Sequence, residues 1–112
     1  MFSGIVSSPR NSLSAQKALQ LANVYLRSAR HESDAEISLV LCHDTEISLS
    51  YAKKAIKRTE DQELVQRIAT AYIDLGNVLD KQERPAEAKV SYKKASKLGY
   101  VRNRFSSWMN TV

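Results

Sequence analysis

The chain has 112 residues and a mass of 12.6 kDa, room for one small domain, with 43% apolar and 26% charged residues and a mean hydropathy of −0.40. That is enough hydrocarbon for a core and too much for a wholly disordered chain, and no apolar run approaches the roughly 20 residues that span a bilayer. The opening residues do not read as a secretory signal, the lone Cys42 rules out an internal disulfide and suits a reducing cytoplasm, and three glycines argue against a phosphate-cradling loop.

The net charge of +5 is unevenly spread. Residues 1–83 carry ten Lys/Arg against eleven Asp/Glu, whereas residues 84–112 carry seven against one. An anionic partner is therefore sought in the last quarter of the chain.

Residues 1–11 read as a flexible tail, and Asn11 or Ser12 opens a first helix over about 12–30. Its apolar stripe is expected at Ala18, Leu21, Ala22, Tyr25 and Ala29. Ser33-Asp34-Ala35-Glu36 has capping-box form and starts a second helix over 34–58. Asp44-Thr45 offers an alternative cap for a shorter helix after a loop, so residues 31–45 stay open between helix and loop. Thr59-Glu60-Asp61-Gln62 repeats the box pattern before a third helix, 60–82, whose stripe is Leu64, Ile68, Tyr72, Leu75 and Leu79. Pro85 suits the first position of a fourth helix, 85–98, and Gly99 its left-handed stop. In that helix Ala88, Tyr92, Ala95 and Ser96 form a face opposite a row of Lys89, Lys93 and Lys97. The whole is all-α: a domain over 12–98 followed by a basic and aromatic segment, 99–112.

The chain echoes itself. Leu21-Ala22-Asn23-Val24-Tyr25 matches Leu75-Gly76-Asn77-Val78-Leu79 at an offset of 54 residues, and Tyr51-Ala52-Lys53-Lys54-Ala55 matches Ser91-Tyr92-Lys93-Lys94-Ala95 at an offset of 40. Residues 69–102 resemble a tetratricopeptide repeat (TPR) in Tyr72, Leu75-Gly76, Leu79, Ala88, Tyr92 and Ala95, with Tyr100 where a proline is usual. Small Gly76 and Ala88 let helices approach closely while Tyr72, Leu79 and Tyr92 fill the space between. Residues 12–58 form a degenerate copy, with Ala22, Ser48 and Ala52 in place of the glycine, the crossing alanine and the second aromatic. The two offsets differ by fourteen residues, about 3.9 helical turns, so the insertion lengthens the second helix and keeps its apolar face in register. The resemblance implies two antiparallel helical hairpins, 12–58 and 60–98, and a short C-terminal capping segment. Residues 39–46 and 68–76 also resemble a helical region of large fungal multidomain proteins, where TPR-like helices accompany a nucleoside-triphosphatase module. No triphosphatase loop is present in this sequence.

Function follows from the resemblance as an expectation. A TPR domain is a non-catalytic scaffold whose first helices line a concave face that docks another protein or peptide. Carried over, that face holds Gln16, Leu19, Gln20, Asn23 and Arg27 from the first hairpin and Thr70, Ile73, Asp74, Asn77 and Asp80 from the second. Asparagine amides bond an extended backbone, and Leu19 and Ile73 offer apolar contact. Leu19 and Asp74 disfavour a lysine clamp for a C-terminal carboxylate.

Other motifs are weighed beside it. Cys42-His43-Asp44 cannot form a nucleophilic relay on a helix, because consecutive side chains point about 100° apart. His31 gives no zinc-ligand spacing with it, so neither a metal nor a cofactor is expected. Lys93, Lys94, Lys97, Arg102 and Arg104 are either a solvated face or an anion patch, the latter allowing weak, nonspecific nucleic-acid binding. Phe105, Trp108 and Met109, at i, i+3, i+4 spacing, read either as a cap on the last helix or as an anchor for self-association. Two hairpins are fewer than a repeat stack usually needs, so a homodimer is expected on that ground.

Overall fold

The computed structural model describes residues 2–56 and 61–99, with side chains from residue 13 onward. Four helices follow one another: α1 (Phe2–His31), α2 (Ala35–Ala55), α3 (Gln62–Lys81) and α4 (Pro85–Lys97), and no strand occurs among the described residues. None of these helices is long and apolar enough to cross a membrane.

The helix α1 begins at Phe2, ten residues before the start expected at 12. It runs through Pro9, whose fixed φ fits a helix although its nitrogen donates no hydrogen bond. Segment 31–45 resolves in favour of the long helix. His31 ends α1, three residues turn, and α2 continues without a break through Asp44 and Thr45.

Both expected capping boxes are displaced. Asp34, one residue after Ser33, is the cap of α2, its Oδ1 accepting from the Glu36 and Ile37 backbone N–H groups at 2.9 and 3.2 Å. Glu32 in turn accepts from the Asp34 N–H at 3.1 Å. Asp61 caps α3 by accepting from the Leu64 N–H at 3.0 Å, and Thr59 and Glu60 lie outside the described residues. A carboxylate at the positive end of a helix gains from the helix dipole as well as from the hydrogen bond, which a serine or threonine hydroxyl does not.

Two stops are well defined. Glu83 takes a left-handed conformation, φ 61°, and the Glu83 and Arg84 N–H groups return to the Asp80 and Leu79 carbonyls. That is a Schellman ending with a glutamate in the position glycine usually holds. Gly99, φ 84°, ends α4 as its sequence position indicates, its N–H donating to the Ser96 carbonyl at 2.9 Å. Pro85 sits in the first turn of α4.

Packing explains the width of each apolar face. The main contacts are α1 on α2 and α3 on α4, and α3 also touches α2 and α1. With neighbours on three sides, α3 buries Leu64, Val65, Ile68, Ala69, Ala71, Tyr72, Leu75, Gly76, Val78 and Leu79, which include the whole expected stripe. In α1 the buried set is Ala15, Leu19, Ala22, Leu26 and Ala29, a 4-3-4-3 heptad of alternating small and large residues. The stripe expected through Ala18, Leu21 and Tyr25 is turned from it. Leu21 is 47% exposed, and Ala18 and Tyr25 are only partly covered.

Buried hydroxyls tie the helices together. Ser38 Oγ donates to the Ala29 carbonyl at 2.9 Å, joining α2 to α1, and accepts from Gln82 Nε2 at 2.9 Å. Ser91 Oγ donates to the Tyr72 carbonyl at 2.7 Å, joining α4 to α3. Thr45 satisfies itself on the Leu41 carbonyl. The Tyr72 side chain is fully buried, and its hydroxyl has no hydrogen-bond partner among the described residues. Burial, and secondarily Glu46, push that phenol up to about 12.

Candidate functional site

The backbones of α1 and α3 touch, and each displays polar side chains. On α1, Gln16, Gln20, Asn23 and Arg27 are exposed as expected. Leu19 is not: at 1% exposure it belongs to the core, because position 19 falls on the heptad that faces inward. It offers no surface contact. On α3, Thr70, Asn77 and Asp80 are exposed, while Ile73 and Asp74 are half-buried.

A depression of about 500 Å³ brings part of this set together, lined by Arg30, Asp74, Asn77, Val78, Asp80 and Lys81. Three of these were expected, Asp74, Asn77 and Asp80. Arg30 was not, although it lies three residues, less than one turn, beyond Arg27 and so on the same side of α1. Its guanidinium and the Asp74 carboxyl interact electrostatically. Burial raises the Asp74 carboxyl above its ordinary range, and Arg30 draws it back in part.

Asn77 has a fixed orientation. The Tyr92 hydroxyl of α4 donates to Asn77 Oδ1 at 2.7 Å, which directs the Asn77 amide NH₂ away from that bond. The Tyr92 ring is itself seated against Gly76. A Cβ at position 76 would lie 2.5 Å from Tyr92 Cε1 and 2.8 Å from Cδ1, so only glycine lets the ring come this close. The Thr70 hydroxyl donates back to the Gln66 carbonyl at 2.9 Å, leaving its lone pairs outward.

A second depression, about 440 Å³, lies between α2 and α4 over Leu75 and Leu79. Cys42 and His43 are on its wall, but they do not work as a pair. Cys42 is 3% exposed, and burial, then Glu87, push its thiol up to about 11, so at neutral pH it is protonated. His43 is exposed and Asp44 half-buried, pointing elsewhere around the helix. No group of three or more metal-ligating side chains occurs among the described residues.

The expected anion patch is depleted. Lys93 and Lys97 are exposed on α4, but Lys94 is paired with Glu46 of α2, and its Nζ lies 5.9 Å from the centroid of the Tyr72 ring. The pair bridges two helices whose backbones stand apart, and Glu46 neutralises the charge the patch would have used. Arg102 and Arg104, and the aromatic trio Phe105, Trp108 and Met109, lie outside the described residues. Compared with protein-family models, with curated proteins and with solved structures, the chain matches none.

Proposed function

We propose that the chain is a non-catalytic docking module of TPR type that holds an extended segment of another protein along the α1/α3 face, in the cytoplasm. The reading pairs α1 with α2 and α3 with α4 as antiparallel hairpins, closed by residues 99–112 as a capping segment. What supports the repeat assignment is the seating of Tyr92 on Gly76, together with buried Tyr72, Ala88 and Ala95 at the positions where a TPR needs bulk or smallness.

The observation that carries the docking reading is Asn77. Its carbonyl oxygen is engaged by Tyr92, so its NH₂ is pre-oriented as a donor beside an open depression of mixed charge. An extended peptide offers carbonyl acceptors every second residue on one side, and a donor held in advance costs little entropy to use. Asn23 supplies a second amide from α1. Apolar contact falls to half-buried Ile73, since Leu19 is unavailable. Arg30 of α1 acts on Asp74 of α3, and Asp80 and Lys81 border the same depression, so the peptide meets both signs of charge. With Lys94 committed to Glu46, no observation favours a polyanion instead.

The test is selection of a random peptide library displayed on phage, comparing the wild type with the Asn23→Ala, Asn77→Ala double variant. Both substituted residues are exposed, and loss of the Tyr92–Asn77 hydrogen bond should cost no more than about 1 kcal/mol, so the double variant should stay folded. Peptides enriched by the wild type should bind the variant at least about ten-fold more weakly, which is one to two backbone hydrogen bonds. Equal binding to both proteins refutes the assignment of this face.

A further inference from the structure

The helix α2 carries apolar residues on both sides. Its covered side holds Cys42, Leu49 and Ala52 beside the hydroxyls Ser38, Thr45 and Ser48, while Ile37, Val40, Ile47 and Tyr51 stand 49%, 60%, 56% and 67% exposed. These four fall on the a and d positions of one heptad stripe, 37-40-44-47-51, with Asp44 the only polar member. Half-exposed Val90 of α4 extends the apolar surface across the groove that Val40 lines, and Ile47 and Tyr51 line a further shallow depression with Lys54. A stripe of this regularity is what one helix presents to another, not a scatter of single surface residues.

The charges on the same helix say which helix fits. The α2 start is acidic, with Asp34 and Glu36, and its end basic, with Lys53 and Lys54. Lay two copies of α2 antiparallel about Asp44. Asp34 of each then falls opposite Lys54 of the other and Ile37 opposite Tyr51, whereas Lys53 is turned inward over Val65 and Ile68 and takes no part. The helix dipoles oppose as well. One register thus matches the ends by charge and the middle by hydrocarbon, and only Asp44, meeting its own copy at the axis, works against it. We infer that the outer face of α2 is a two-fold, antiparallel self-association surface whose partner is a second copy of this chain.

This surface is on a different helix from Asn23 and Asn77, so its failure and that of the docking face are separable. The experiment is sedimentation velocity across the micromolar range on the full chain, with circular dichroism to confirm folding. The wild type should dimerise. Ile47→Asp, at an exposed position, should weaken association roughly a hundred-fold because the loss counts twice across the axis. Lys54→Asp should weaken it, and so should Asp34→Asn, which keeps the α2 cap and removes only the charge. Asp44→Leu should tighten it at least about ten-fold, a gain that no folding defect can imitate. The inference is overturned if wild type and Asp44→Leu both stay monomeric, or if a dimer survives Ile47→Asp. A dimer that survives Ile47→Asp but is lost on truncation after Gly99 would move self-association to the C-terminal segment.

Discussion

Replacing Gly76 by alanine tests the seating of the Tyr92 ring against α3. The new Cβ would meet the Tyr92 ring at 2.5, 2.8 and 2.9 Å, whereas carbon atoms in contact ordinarily lie about 3.5–4.0 Å apart. The ring must retreat by about 1 Å, and it is held by the 2.7 Å bond from its hydroxyl to Asn77. Overpacking of this kind costs about 1–3 kcal/mol, and strain on a partly exposed hydrogen bond adds a fraction of about 1 kcal/mol. Alanine returns about 1 kcal/mol as the better helix former. The net expectation is a loss of about 1–2 kcal/mol, read as the shift in a urea midpoint monitored by circular dichroism. With Tyr92→Leu in the background the ring is gone, and the same Gly76→Ala change should become neutral or stabilising by up to about 1 kcal/mol. A neutral or favourable Gly76→Ala in the wild type, or an equal loss in both backgrounds, would refute the close nesting of α3 and α4.

Two further outcomes follow from buried titratable groups. Cys42, covered and with its thiol raised to about 11, should react with a thiol reagent at pH 8 only as fast as the protein unfolds; prompt labelling of the native protein would contradict its burial. The raised Asp74 carboxyl means the folded state holds its proton more tightly than the unfolded chain, so this group's contribution to stability falls as pH rises from the ordinary carboxylate range through the raised value. Asp74→Asn should therefore raise the urea midpoint at pH 7 relative to wild type and lose that advantage below the carboxylate range. An advantage that grows on acidification would reverse the sign.

The parts of the fold that could be read in the sequence are those where one interaction dominates. The stripe of α3 was legible because Leu64, Ile68, Tyr72, Leu75 and Leu79 step by three and four with no competing set. In α1, apolar residues crowd positions 18, 19, 21, 22 and 24–26, so two phases compete, and only the Ala-Leu heptad 15-19-22-26-29 marks the one that packs. Repeat alignment, which pairs position 19 with half-buried Ile73, 54 residues on, put Leu19 on the surface, but the inward heptad claims it. The caps slipped by one or two residues because serine, threonine and aspartate all compete for the role and only the start of the helix decides. Repeat alignment put Asn77 and Asp80 on the surface, and both are exposed. The loss of Lys94 to Glu46 was invisible, since the partners are 48 residues apart and are brought together only by the arrangement of α2 and α4. Arg30 was within reach of the argument, one short step along a face already chosen.

The position of α3 sets where the protein can absorb change. Its backbone packs against all three other helices, and it supplies the carbonyl that receives Ser91, the glycine that seats Tyr92 and the amide that Tyr92 orients. Variation on the solvent side of α4 stays local, whereas a poorly fitting residue in the central helix disturbs both pairs and the Asn77 amide together. Substitutions are therefore expected to be borne more easily on the outer sides of α1, α2 and α4 than anywhere along α3, the axle on which both pairs turn.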